Sequence, residues 1–236
     1  MKPAEDPGVD YTDLVRRGYD RCAVTFAAAR REGNPAELTL LTSRLGKGAS
    51  VLDLGCGSGV PVTRALAEQF RVTGVDFSAE QLRLARGNVA SAEFIQGDIR
   101  TVELGLREFD AVVAFYAIFH LPREQHFDLF RRIRGWLRTG GFLLATVSAL
   151  SEPPYTEEDF FGVPMYWSHF SQGEYLSMLT TLGFTLLDAS PIGHGYGPAY
   201  RGPEERHPLV FAQKAIARRC EQVSRLPVPQ PREVPR

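Results

Sequence analysis

Cysteine is scarce in this chain. Cys22, Cys56 and Cys220 are its three, odd in number and widely scattered. That excludes a disulfide framework and the paired spacing of a zinc site, and reduced thiols in a cytoplasmic protein are expected. Charge of one sign is also missing, since 27 lysines and arginines stand against 28 acids. Nucleic-acid affinity comes mainly from phosphate neutralisation, so no nucleic-acid partner is expected. No apolar run is long enough to span a bilayer, and the polar start Met1-Lys2-Pro3-Ala4-Glu5-Asp6 lacks the hydrophobic segment of a signal peptide. The acids of residues 152–159 have no ligand spacing that fits a defined site, so no metal is expected. There are no internal repeats. A length of 236 residues suits one α/β domain with a small cap.

What is present centres on residues 50–76. Val51, Leu52 and Leu54 make a short apolar strand, Gly55, Gly57 and Gly59 break it, and residues 60–70 have apolar side chains at helical spacing before a second strand ends at Asp76. Strand, glycine loop, helix and strand form half of a nucleotide-binding fold. Glycines without a Cβ let a ligand lie against backbone N–H groups at a helix start, and a carboxylate after the next strand can accept both hydroxyls of a ribose. A nicotinamide cofactor would use the same features. It also needs glycine where this chain has Val60, which argues against a dehydrogenase.

The pattern Asp53-x-Gly55-x-Gly57-x-Gly59 with a ribose acid at Asp76 resembles the first motifs of the class I S-adenosylmethionine-dependent methyltransferases. Later segments resemble that family too: Phe109-Asp110-Ala111-Val112, then His120-Leu121, then Leu137-Arg138-Thr139-Gly140-Gly141. The resemblance covers roughly residues 48–150 by motif and the rest by element order. It implies a doubly wound, mostly parallel seven-stranded sheet in the order 3-2-1-4-5-7-6, with residues 1–47 as a helical cap and 48–217 as the catalytic domain. It also implies S-adenosylmethionine as cofactor and S-adenosylhomocysteine as product. Asp53 would lie near the cofactor's ammonium group, Asp98 near the adenine amino group and Ile99 on the ring. Tyr19, beside Asp20 in a helix over residues 11–31, would reach the cofactor carboxylate.

Other readings come from the residues themselves. Ser78 followed by Gln81 predicts a capping box, and Phe77 is placed to cover the adenine. Phe115 ends the fourth strand, and Phe115 and Gln81 are further candidates for binding the cofactor. Gly140-Gly141 is expected to close the helix begun at Pro122, and residues 152–170 look too irregular for one long element. The proline-rich residues 218–236 read as a disordered tail. Methyl transfer needs a nucleophile with a free lone pair, and a hydroxyl acceptor favours a histidine base. His120 and His169 are the catalytic candidates. Tyr116, Phe119, Tyr166, Trp167, His194, Tyr196 and Tyr200 are candidates for an aromatic acceptor pocket. The acceptor expected is a small organic molecule with an oxygen or nitrogen nucleophile. A cofactor-binding regulatory protein without turnover is the alternative.

Overall fold

Alternating apolar strands and amphipathic helices set the architecture. The computed structural model describes residues 2–3, 9–30, 36–105, 108–193, 195–196 and 207–215; His194, Tyr200 and the tail expected over 218–236 lie outside them. In chain order the elements are β1 (Lys2–Pro3), α1 (Tyr11–Ala29), α2 (Thr39–Thr42), β2 (Ser50–Leu54), α3 (Val62–Ala67), β3 (Arg71–Asp76), α4 (Ala79–Asn88), β4 (Glu93–Gln96), β5 (Phe109–Ala114), α5 (His126–Trp136), β6 (Leu137–Thr146), β7 (Glu152–Phe160), β8 (Val163–His169), α6 (Gln172–Thr181), β9 (Phe184–Asp188), β10 (Pro191–Ile192) and β11 (His207–Lys214).

The main sheet runs β4-β3-β2-β5-β6-β11-β9, with β10 continuing the β9 edge of β11. Counted from β2 through every strand the order is 3-2-1-4-5-10-8, which differs in detail from the expected 3-2-1-4-5-7-6 and reduces to it when the hairpin strands β7 and β8 and the short β10 are left out. The pairs from β4 to β6 are parallel and β11 is antiparallel to its neighbours. All six residues of β5 are buried, as a strand covered on both faces must be. Its side chains alternate between two cores: Val112 and Ala114 join α5 and α6, while Ala111 and Val113 join α2 and α3. The carboxyl ends of β2, β3 and β5 are thereby aligned at one edge, where an open α/β sheet binds its ligand.

Two expectations need correcting. Gly140 and Gly141 do not close a helix: α5 ends at Trp136 and the pair lies inside β6. Gly140 has φ +78°, and the β5–β6 register jumps from Phe109↔Leu137 to Ala111↔Phe142, so the glycines make a bulge. Residues 152–170 are not irregular but form the β7–β8 hairpin, which pairs with β1 in a separate three-stranded sheet. Its turn holds Phe161 and Gly162 at positive φ, the geometry that matches strand twist, and the Gly162 N–H donates to Asp159 at 2.9 Å. Pro153 and Pro154 hid this strand, since proline supplies no ladder donor.

The hairpin matters because α1 packs on it. Asp10 caps α1 by accepting the N–H groups of Thr12 and Asp13, and Val15, Gly18, Cys22 and Ala23 form its buried stripe. Val15 and Cys22 meet Phe160, Val163, Met165 and Tyr166 in a third core. At Gly18 a Cβ would lie 3.1 Å from Met165 and 3.3 Å from the Pro164 carbonyl, so a glycine sets the close approach. Elsewhere a capping box starts α6, with Ser171 Oγ accepting the Glu174 N–H and the Glu174 carboxylate accepting the Ser171 N–H. Ser171→Ala should cost about 1 kcal/mol. Thermal melting should show a fall of roughly 2–4 °C.

Candidate active site

The glycine loop after β2 is laced to the end of β3. Gly55 and Cys56 N–H groups donate to the Val75 carbonyl at 2.8 and 3.1 Å. Gly57 N–H and Ser78 N–H each donate to Asp76 at 2.9 Å, so both oxygens of that carboxylate are held. Gly55 adopts φ +69°, and a Cβ there would stand 2.5 Å from that of Ala117. No other residue fits. Thr63, the second residue of the following helix, donates its hydroxyl to Asp53 at 2.6 Å. Burial raises both acids, Asp53 to about 7 and Asp76 to about 6, although the hydroxyl and N–H donors pull the other way.

Opposite the loop stands α1. Asp20 accepts the Ser78 hydroxyl at 2.7 Å and the Glu80 N–H at 3.3 Å, tying α1 to the start of α4. Tyr19 meets His120, which sits in a short turn over Ile118–His120 after β5. The His120 Nδ1 is 3.0 Å from the Tyr166 carbonyl and its Nε2 is 2.7 Å from the Tyr19 hydroxyl. A carbonyl only accepts, so Nδ1 carries the proton and Nε2 accepts the Tyr19 O–H. Burial lowers His120 to about 4, which keeps the ring neutral. Trp167 lies against it with ring centres 4.4 Å apart.

A cleft whose empty space, open solvent included, is about 960 Å³ lies between the loop and α1. Of the candidate residues, Tyr19, Asp53, Gly55, Gly57, Asp76, Phe77, Gln81, Asp98, Ile99, Phe115, Tyr116 and His120 line it. Other candidates lie elsewhere. Gly59 is a packing position, where a Cβ would touch Ala85 of α4 and Val89 just past its end. Phe119, Tyr166 and Trp167 form the wall behind His120 rather than the lining: Phe119 and Trp167 rings are 5.8 Å apart, and Tyr166 stacks on Tyr11. His169 is bonded to the Leu150 carbonyl at 2.7 Å and approaches Glu152 at 3.6 Å, outside the cleft. Tyr196 bridges by its backbone to Arg30 and is not in the lining.

Several contacts differ from those expected. Ser78 accepts the Gln81 N–H, but the Gln81 side chain makes no return bond, so the capping box is only half formed. Both amide atoms of Gln81 are instead buried without a partner. Asp98 is held by the Arg100 side chain at 2.5–3.0 Å. The Tyr19 proton is committed to His120, so the phenol has none to donate to a carboxylate. Thr63, Phe26 and Arg30 were not anticipated. Thr63 had a faint signal, a hydroxyl at the start of the helix after the glycine loop; Phe26 and Arg30 had none beyond helical spacing.

The family described as a methyltransferase domain matches residues 51–141. Residues 51–141 thus carry a methyltransferase domain. An N,N-dimethyltransferase of dTDP-3-amino-3,6-dideoxy-alpha-D-glucopyranose from Streptomyces fradiae is 36% identical over 135 residues, 52% of this chain and 48% of that protein. A fatty-acid O-methyltransferase from Mycolicibacterium smegmatis is 35% identical over 106 residues, 42% of this chain and 37% of that one. This chain thus spans half or less of either relative. A solved S-adenosylmethionine-dependent methyltransferase from Methanosarcina mazei shares the fold with TM-score 0.64 at 19% identity, over 75% of this chain and 97% of that one. Within the methyltransferase domain, the matched stretch holds the glycine loop, Asp76, Gln81, Asp98 and His120, while Tyr19 and Arg30 come from the region before it. Among the described residues no helix is long and apolar enough to cross a membrane, and no cluster of metal-ligating side chains occurs.

Proposed function

We propose that this chain transfers a methyl group from S-adenosylmethionine to an oxygen or nitrogen of a small organic molecule. The observation that carries the proposal is that a fixed pair of buried acids and the Tyr19–His120 pair open into one cleft. The residues fit the cofactor on their own chemistry. Asp53 and Asp76 are buried acids that take hydrogen bonds but have no described ion-pair partner, and Gln81 offers an unpartnered buried amide beside them. Asp76 is assigned to the ribose hydroxyls, Asp53 and Gln81 to the polar end of the cofactor, and Phe77 and Ile99 to the adenine faces. When bound, the cofactor supplies an electrophilic methyl group on a sulfonium.

The chain supplies position. Tyr19 donates its hydroxyl hydrogen bond to His120, so its oxygen presents lone pairs to the cleft and accepts an N–H or O–H of the acceptor. That turns the nucleophile's own lone pair toward the methyl, and orientation of this kind supplies much of the catalysis in a direct displacement. A histidine lowered to about 4 is a poor base near neutral pH, so His120 acts through Tyr19 as a positioning residue. The two relatives methylate nitrogen in one case and oxygen in the other, which supports either nucleophile. The opening of the Tyr19–His120 pair into the same cleft favours turnover over a binding protein.

Asp76→Ala removes charge-assisted hydrogen bonds of about 1.5–3 kcal/mol each, so affinity for S-adenosylhomocysteine should fall at least about tenfold. Calorimetry on wild type and variant checks this, with NAD as a ligand expected not to bind. Unchanged affinity in the variant would remove the assignment. Transfer of labelled methyl to small molecules of a cell extract, but not to added duplex DNA or RNA, distinguishes the enzyme from the binding protein.

A further inference from the structure

Arg30, the residue just past α1, is a cation in the cleft lining with three aromatic neighbours. Its guanidinium carbon stands 4.8 Å from the Tyr116 ring centre, 5.3 Å from that of Tyr196 and 5.7 Å from that of Phe26. Rings at these distances hold a guanidinium by cation–π attraction and restrict where its N–H groups point. The backbone adds to this. Arg30 and Tyr196 form an antiparallel bridge, the Tyr116 hydroxyl donates to the Gly193 carbonyl, and a Cβ on Gly195 would lie 2.9 Å from an Arg30 nitrogen. Arg30 is therefore fixed from the α1 side, from the segment after β5 and from the segment after β10.

The charges of the lining are sorted. Arg100, the other arginine there, is bound to Asp98. The remaining acids, Asp53 and Asp76, belong to the glycine-loop side that the cofactor reading assigns. Arg30 shares the other side with Tyr19, Phe26, Phe115 and Tyr116, a surface suited to a flat apolar body.

The geometry points to Arg30 as the specificity residue for the acceptor, holding an oxyanion, most simply a carboxylate, on an aromatic or similarly flat molecule. This rests on the methyl-transfer reading above. The oxyanion is a handle and not the atom methylated, because a guanidinium bonded to the reacting oxygen would draw its lone pair away from the methyl. A planar fork of N–H donors matches a carboxylate in two bonds, and a phosphate monoester can use the same fork.

The test uses the full chain and matched probes. S-Adenosylhomocysteine is first titrated into wild type and Arg30→Gln, and equal binding to both is expected. If it binds neither, the cofactor reading fails by itself. With S-adenosylhomocysteine saturating, 4-hydroxybenzoate, its neutral partner 4-hydroxybenzamide, and phenyl phosphate are titrated in turn. Wild type should prefer the carboxylate over the amide by about tenfold or more, Arg30→Gln should abolish that preference, and Arg30→Lys should restore part of it. Phenyl phosphate binding above the carboxylate would identify a phosphate handle and still support the proposal. Equal affinity of carboxylate and amide for wild type, binding of none of the three at millimolar concentration, or a preference that survives in Arg30→Gln would each overturn it.

Discussion

Tyr19→Phe is expected to lower turnover about a hundredfold while changing affinity for S-adenosylhomocysteine by no more than about twofold. The phenol makes one described hydrogen bond, to His120, and its ring is already packed edge-on against Phe26 and Phe160, so phenylalanine preserves the shape. What disappears is the oxygen that orients the acceptor. His120→Ala should cost a similar factor, since Tyr19 then lacks the partner that fixes its proton, and the double variant should be little worse than either single one because the two act as a unit. His120→Gln supplies a side-chain carbonyl as replacement acceptor and should recover part of the loss. The pH profile separates positioning from base catalysis. With His120 lowered to about 4, turnover at saturating cofactor should show no histidine limb between about pH 5.5 and 8. A limb of slope one near pH 6.5 would mean that His120 is a general base, and the positioning role would be wrong.

The centre of the fold was legible in the sequence because its determinants are local. A run such as Phe109–Ala114, apolar throughout, has few alternatives to a doubly covered strand, and glycines between a strand and a helix dictate a tight loop. The same locality carried Asp76, which needs only to follow its strand. The hairpin was less visible because its two strands are stabilised from outside, by the α1 stripe packing on Val163 and Met165, while its own Pro153, Pro154 and acids speak against a strand. His169 and His120 show the limit in the site. His120 follows β5 and His169 ends β8, and each has a ring nitrogen at a backbone carbonyl, that of Tyr166 or Leu150. Which one faces a cleft depends on where a hairpin folds back, and no residue spacing encodes that. Arg30 illustrates the same point from the other direction: its role comes from Tyr116 and Tyr196, far away in the chain.

Asp53→Asn should make the ligand-free protein more stable at neutral pH and the cofactor complex weaker. The carboxyl is raised from 3.8 to about 7, chiefly by burial, against the Thr63 hydrogen bond and with Asp76 as a like charge nearby. For an acid raised in the folded state, the native protein keeps a proton that the unfolded chain has lost. The stabilisation is therefore complete below about pH 4 and is lost as pH rises through about 7. Asp76, raised to about 6, adds to the loss in the same direction. At pH 8 asparagine removes one buried charge and still accepts the Thr63 hydroxyl. A difference of about three pKa units corresponds to at most about 4 kcal/mol, and a gain of roughly half that would raise the melting temperature by roughly 4–8 °C. Near pH 4.5 wild-type Asp53 is already protonated, so the two proteins should melt nearly together. The cofactor reverses the sign: its ammonium needs the carboxylate, so wild-type affinity for S-adenosylhomocysteine should climb from about pH 5.5 to 7.5, while Asp53→Asn binds at least about tenfold more weakly at pH 8 and gains less across that range. Melting curves and calorimetry at the two ends of the range decide the matter. Equal melting shifts at pH 4.5 and pH 8 would show that Asp53 is not held as a buried, proton-retaining acid, and its assignment to the cofactor's charged end would lose its physical basis.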